Sequence, residues 1–134
     1  MRKEAGAPSH RGDELWLDIA VRLIGSGVAI GLLETTILEE RAEVAYLFGT
    51  DFWGNGYATE GLAWLHELIR SNFGIRDFWA TVKPGNERSM RLLERSKYRE
   101  VPAGTWPRLT SYDPGDRVFR YLVEQDETVQ GSHA

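Results

Sequence analysis

From Leu15 onward the apolar and β-branched residues of this chain gather in runs whose spacing predicts the elements. LWLDIAVRL and GVAIGLLETTIL are two β-rich runs, and Ile24-Gly25-Ser26-Gly27 between them is short enough for an antiparallel hairpin. A third run, AEVAYLF from Ala42 to Phe48, follows the charged turn LEER. Ala58, Leu62, Leu65 and Ile69 then recur at intervals of three and four, which marks one buried face of a helix over 58–73. DFWATVKP reads as the next strand, Asn86 to Lys97 as a second helix, and Tyr98 to Glu124 as a final pair of strands around Tyr112-Asp113-Pro114-Gly115-Asp116. The middle of this order is a β-α-β crossover. It makes the strands 42–48 and 77–83 parallel within an otherwise antiparallel sheet, and hence predicts a mixed α/β fold. All 134 residues form one domain, with the polar stretches 1–14 and 125–134 expected to fray.

Composition narrows the function classes. A net charge of −4 and a pI near 5.4 argue against general binding to nucleic acid or to membrane surfaces, which usually needs a basic field. The absence of cysteine excludes disulfides, thiolate zinc sites and a cysteine nucleophile. His10, His66 and His133 share no metal-ligand spacing, and His66 in mid-helix is expected to face solvent. No signal peptide or membrane-spanning run is visible, so a cytoplasmic location is expected.

Candidate chemistry sits in two places. In WGNGYATE, Gly54 and Gly56 immediately precede a helix, whose first N–H groups lack intrahelical partners and carry a partial positive charge. Two readings stand open: a phosphate approaches the bare backbone, or the glycines only form a tight turn. Neither a GxxxxGK[ST] loop nor a complete GxGxxG is present, since Thr59 stands at the last position of the latter. In NERSMRLLE, Asn86 is placed to cap the second helix, with Ser89 and Leu93 on the same face. That segment alone reads first as a capped surface helix packing Met90, Leu92 and Leu93 inward.

Taken together, AEVAY, WGNGYATEG, NERSMRLLE and Tyr98-Arg99-Glu100, in this order and spacing, resemble the GNAT superfamily of acetyl-CoA-dependent N-acetyltransferases. The likeness is greatest to the branch of ribosomal-protein N-terminal acetyltransferases. It implies that Trp53, Gly54, Asn55, Gly56, Tyr57 and Ala58 wrap the pyrophosphate of acetyl-CoA. It further implies that the main chain of Leu47 and Phe48 bonds the pantetheine arm, that Asn86 reaches the arm from the other side, and that Ser89 lies near the thioester sulfur. The cofactor would lie between two diverging parallel strands.

Several positions depart from the family pattern. Asp51 replaces the usual Gln or Arg before the phosphate loop, Leu93 the tyrosine that serves as general acid, and Lys97 the glycine that ends the second helix. Against the family pattern, the opening strand and two helices are expected to lack a counterpart before Leu15, which would leave one side of the hairpin 15–38 uncovered. A homodimer is expected to supply the cover, with the partner's 106–112 loop walling the acceptor site.

For catalysis, Glu43 is the candidate base: it shares a strand face with Ala45 and Leu47, an apolar setting expected to raise its pKa, and it matches a strand glutamate that acts as base in some GNAT enzymes. Pairing with Arg41 or Arg76 is the structural alternative. Ser89 is the candidate proton or hydrogen-bond donor to sulfur, with Tyr98 and Tyr112 in reserve and the backbone near Phe48 for the oxyanion. Trp79, Trp106 and Tyr121 are candidates for an acceptor pocket, and an arginine among Arg88, Arg91 and Arg95 for the 3′-phosphate. The function expected is acetyl transfer from acetyl-CoA to a small-molecule or peptide amine. A catalytically idle acyl-CoA-binding module and a purely protein-binding GNAT-like domain are the alternatives.

Overall fold

The computed structural model describes residues 1–5, 9–11 and 13–124. In chain order the elements are β1 (Arg2–Ala5), β2 (Ser9–Arg11), β3 (Glu14–Arg22), β4 (Ala29–Leu38), β5 (Arg41–Phe48), a 3-10 turn (Thr50–Phe52), α1 (Tyr57–Phe73), β6 (Asp77–Val82), α2 (Glu87–Arg95), β7 (Arg99–Glu100) and β8 (Arg117–Leu122). They build one eight-stranded sheet in the order β1-β3-β4-β5-β6-β8-β7, with β2 also paired to β3. The β5–β6 pair is parallel and the other pairs are antiparallel, as the crossover requires.

Register puts Ile19 beside Leu33, Leu33 beside Tyr46, Ala42 beside Phe78 and Phe78 beside Tyr121. These residues therefore share one face of the sheet. Against that face lies the apolar stripe of α1, in which Leu62, Leu65 and Ile69 are fully buried. Burial of each such side chain stabilises the fold by roughly 1.5–3 kcal/mol. The other face carries Glu43, Trp79 and Arg120 side by side.

Two expectations are corrected. The segment before Leu15 is not wholly frayed: β1 and β2 run end to end along the edge of β3 that β4 leaves free. Main-chain pairing needs no apolar side chains, so polarity did not prevent it. Glu4 pairs with Arg22, and Lys3 reaches Glu60 of α1 and the ring of Trp64. The final strands are also shorter than predicted, because Pro102, Pro107 and Pro114 hold most of 101–116 outside the sheet. The expectation for 125–134, and with it His133, lies outside the described residues.

Candidate active site

The parallel strands pair only at Ala42–Phe78 and Glu43–Trp79. Beyond that point the backbone groups of β5 turned toward β6 have no strand partner. A cleft of about 540 Å3 opens there, lined by Tyr46, Leu47 and Phe48 of β5, by Trp53, and by the start of α2 from Gly85 to Ser89 with Arg91. Seven of these ten positions are ones the sequence singled out, and Tyr46, Gly85 and Glu87 neighbour them directly.

The glycine loop follows Trp53 in the chain; Trp53 lines the cleft, whereas Gly54, Asn55, Gly56, Tyr57 and Ala58 are not among its lining residues. Gly54 and Gly56 have φ of +86° and +79°, a region unfavourable for residues with a Cβ, and a Cβ at either would meet nothing within 4 Å. Gly56 is the N-cap of α1 and no side chain caps the helix, so its first N–H groups are open to an anion. The Trp53 ring fixes the loop. It packs edge-on against Phe48 with centroids 6.3 Å apart and lies under the Arg88 guanidinium at 5.2 Å. Asn55 and Tyr57 flank the glycines, Tyr57 against Phe52, while Ala58 turns into the core.

The α2 side behaves as its letters suggest. Asn86 Oδ1 accepts from the Ser89 N–H at 3.3 Å, and Asn86 lines the cleft. Leu92 and Leu93 are fully buried, so Leu93 is a packing residue. The Ser89 hydroxyl is buried and lies 2.5 Å from the hydroxyl of Tyr46. Burial pushes the Tyr46 phenol up to about 12, against the hydrogen bond to Ser89, which pulls the other way. Tyr46 is the site residue that sequence reasoning missed. Its signal was its place in AEVAYLF, two residues from Val44 on the helix-facing side and next to the strand end assigned to the pantetheine arm.

Glu43 is buried, at 5% exposure, but its carboxylate is not in apolar surroundings. Its two oxygens accept from the N–H groups of Thr110 and Ser111 at 2.9 and 3.1 Å, and from their hydroxyls at 3.2 and 3.0 Å. Neither Arg41 nor Arg76 is its partner: Arg41 bonds Glu39 and the Arg108 carbonyl. The apolar setting was inferred from strand neighbours alone, whereas the covering residues come from a loop 67 positions away.

Of the three aromatic candidates, Trp79 and Trp106 line one cavity of about 490 Å3 on the Glu43 face, together with Arg41, Asp77 and Arg120. Trp79 Nε1 and Arg41 Nε are buried there without a partner among the described residues. Tyr121 lies on the opposite face, within an aromatic cluster with Phe78, Tyr98 and His66. His66 is likewise not solvent-facing. It is 9% exposed, its Nε2 sits 2.7 Å from the Tyr98 hydroxyl, and burial lowers its pKa to about 4. Tyr98 and Tyr112 do not line the cleft; Tyr112 packs on Trp106.

The mixed sheet with its one parallel pair and the two helices is the fold of solved acetyltransferases. The chain belongs to the acetyltransferase (GNAT) domain family, which it matches over residues 4–99. No curated protein matches it. Among solved structures it is similar to an acetyltransferase from Agrobacterium tumefaciens at 25% identity and a TM-score of 0.62, covering 81% of this chain and 59% of that one. It is also similar to a spermidine N-acetyltransferase from Vibrio cholerae at 17% identity and a TM-score of 0.64, covering 84% and 68%. A third is a ribosomal-protein-S5-alanine acetyltransferase from Vibrio fischeri, at 14% identity and a TM-score of 0.66, covering 83% and 63%. The chain thus spans less than two thirds of the Agrobacterium and Vibrio fischeri proteins.

Proposed function

We propose that this chain transfers an acetyl group from acetyl-CoA to a primary amine, that of a protein N-terminus or of a small molecule. The observation that carries this reading is the parting of β5 from β6 beyond Glu43, where a cleft opens that is lined by Asn86, Ser89 and Trp53, the residue from which the two open glycines follow. The residues fit the cosubstrate. Backbone N–H groups at Gly54, Gly56 and the first turn of α1 suit a pyrophosphate, and the unpaired edge of β5 at Leu47 and Phe48 suits the amides of a pantetheine arm. Arg88 and Arg91 line the same cleft and suit the remaining phosphate. When bound, acetyl-CoA supplies an activated acyl carbon; the protein holds it in line with the amine, which by itself accounts for much of the rate in such reactions.

Glu43 then acts as a positioning residue. By clamping Thr110 and Ser111 it holds the 105–112 loop over the face from which the amine arrives, where Trp79 and Trp106 form the cavity described above. Deprotonation of the amine falls to water in this arrangement. The branch likeness makes peptide N-termini one acceptor class, and the spermidine enzyme among the structural neighbours makes polyamines another. Self-association through the open sheet face of β3 and β4 is part of the same proposal. Among the described residues no helix is long and apolar enough to cross a membrane.

Thiol release from acetyl-CoA in the presence of a panel of peptide and polyamine acceptors tests the reading. Turnover above the rate with water alone is expected for at least one class. Binding of acetyl-CoA without turnover across the panel would leave the chain an idle acyl-CoA-binding module and overturn the proposal.

A further inference from the structure

Leu93 stands where a tyrosine acid is usual, yet a tyrosine hydroxyl still reaches this cleft, from the other wall. Tyr46 projects from β5 and meets Ser89 across the opening, with hydroxyls 2.5 Å apart and a second, longer contact of 3.4 Å from Tyr46 to the Ser89 carbonyl. Both side chains line the cleft with Leu47, Phe48 and Asn86. Resting on the acetyl-transfer reading, we propose that Tyr46 is a positioning residue: its hydroxyl donates to Ser89 Oγ and so turns the Ser89 hydrogen toward the sulfur, where it stabilises the departing thiolate.

Either hydroxyl can donate across the 2.5 Å contact, and the chemistry of the two groups favours Tyr46 as the donor. A phenol is a stronger donor than an aliphatic hydroxyl, and Tyr46, with its pKa raised to about 12, keeps its proton throughout the neutral range. Once Ser89 Oγ accepts that proton's hydrogen bond, its own hydrogen is free for another acceptor, and Ser89 lines the cleft in which one would lie. Tyr46 is therefore not the acid that replaces Leu93. Passing a proton from a group near 12 to an alkyl thiolate, whose thiol is the stronger acid, would run uphill by roughly 2–3 pKa units, so hydrogen bonding rather than proton transfer is what the pair can offer. In the reaction the amine nitrogen forms the C–N bond, the C–S bond breaks, and the electron pair goes to sulfur, which accepts the Ser89 hydrogen bond. The amine's surplus proton leaves to water, and the thiolate takes a proton from water after release.

The test needs no acceptor and no turnover. Free CoA carries the same thiol, and stabilising its thiolate makes binding tighten as pH rises through the thiol pKa, while desulfo-CoA, which lacks the sulfur, serves as the reference. For the wild type the affinity for CoA relative to desulfo-CoA is expected to rise roughly tenfold or more from neutral to alkaline pH, the scale of a hydrogen bond to a charged group. Tyr46→Phe and Ser89→Ala should each remove most of that rise, and the double variant should lose no more than Ser89→Ala alone. The other ionisable groups around the pair are unchanged in these variants: Glu87, Arg88 and Arg91 at the cleft, and Tyr98 with His66 behind Tyr46. Desulfo-CoA affinity should stay at the wild-type value in all three variants, which certifies that the cleft is folded. In turnover, Tyr46→Phe should lower kcat about tenfold by the same factor at every pH, with KM for acetyl-CoA unchanged. The same pH dependence of CoA affinity in wild type and Tyr46→Phe would overturn the role of Tyr46. A wild type that binds neither CoA nor desulfo-CoA would instead overturn the acetyl-transfer reading, and this inference with it.

Discussion

Glu43 shows how far a single residue can be read from its neighbours. Its place on a strand between small and apolar side chains was visible in AEVAYLF, but the four donors that close on its carboxylate come from Thr110 and Ser111 and were not. Glu43→Gln replaces one of two accepting oxygens with an amide that points hydrogens at those donors. A loss of about 2–3 kcal/mol in urea unfolding is expected, with the low-pH limb of kcat/KM retained. Flattening of that limb would return the base role to Glu43. His66 was misplaced for a related reason: the letters gave its position on the helix but not Phe78 of β6, Tyr98 between α2 and β7, and Tyr121 of β8, which enclose it. Because its folded pKa of about 4 lies below the ordinary 6.5, folding favours the neutral imidazole. Its contribution to stability is therefore full above about pH 6.5 and is lost as pH falls toward about 4, reaching roughly 3 kcal/mol. Unfolding free energies measured across this window should fall more steeply for the wild type than for His66→Gln, and parallel curves would count against a buried neutral histidine.

At the scale of elements the sequence was most informative where periodicity and breakers agreed. α1 follows its apolar spacing from Ala58 to Ile69 and ends at Gly74, in the left-handed region with φ of +69°. The hairpin β3–β4 and the crossover β5-α1-β6 lie within a residue or two of the predicted bounds. The end of α2 was legible as a problem: Lys97 takes φ of +75° in place of glycine, with its N–H bonded to the Glu94 carbonyl. Lys97→Gly should accordingly raise stability by about 1 kcal/mol in thermal or denaturant unfolding, since glycine reaches that conformation without strain. No gain would mean that contacts of the lysine side chain offset the strain. What the spacing could not show is the long connection 101–116. Its strands were inferred from apolar letters, but the three prolines remove ladder donors and the segment instead covers Trp79 and clamps Glu43.

For the whole molecule, covering is the organising problem. Two grounds led to an expected homodimer: a bare strand edge and a bare sheet face. The edge is occupied by β1 and β2, which polar side chains hid from a reading based on hydrophobicity. The 105–112 loop of the chain's own sheet, not a partner's, lies over Glu43. The face of β3 and β4 away from the helices still presents Leu32, Leu38 and Trp16, and Leu47 beside them is 69% exposed. Light scattering at micromolar concentration is expected to give a dimer that Leu47→Glu weakens, as a charge on an apolar contact would. A wild type that is monomeric and fully active would remove self-association from the proposal.

Calorimetric titration of acetyl-CoA into the wild type and Gly56→Val decides whether the cleft beside Trp53 and the glycine loop that follows it hold the cosubstrate. The wild type should release or absorb heat with one-to-one binding. Gly56→Val, whose Cβ branches into the space above the α1 N-terminus at φ of +79°, should bind at least about tenfold more weakly while keeping a folded far-UV spectrum. No binding to the wild type, or equal binding to the two proteins, would contradict the assignment of the cleft.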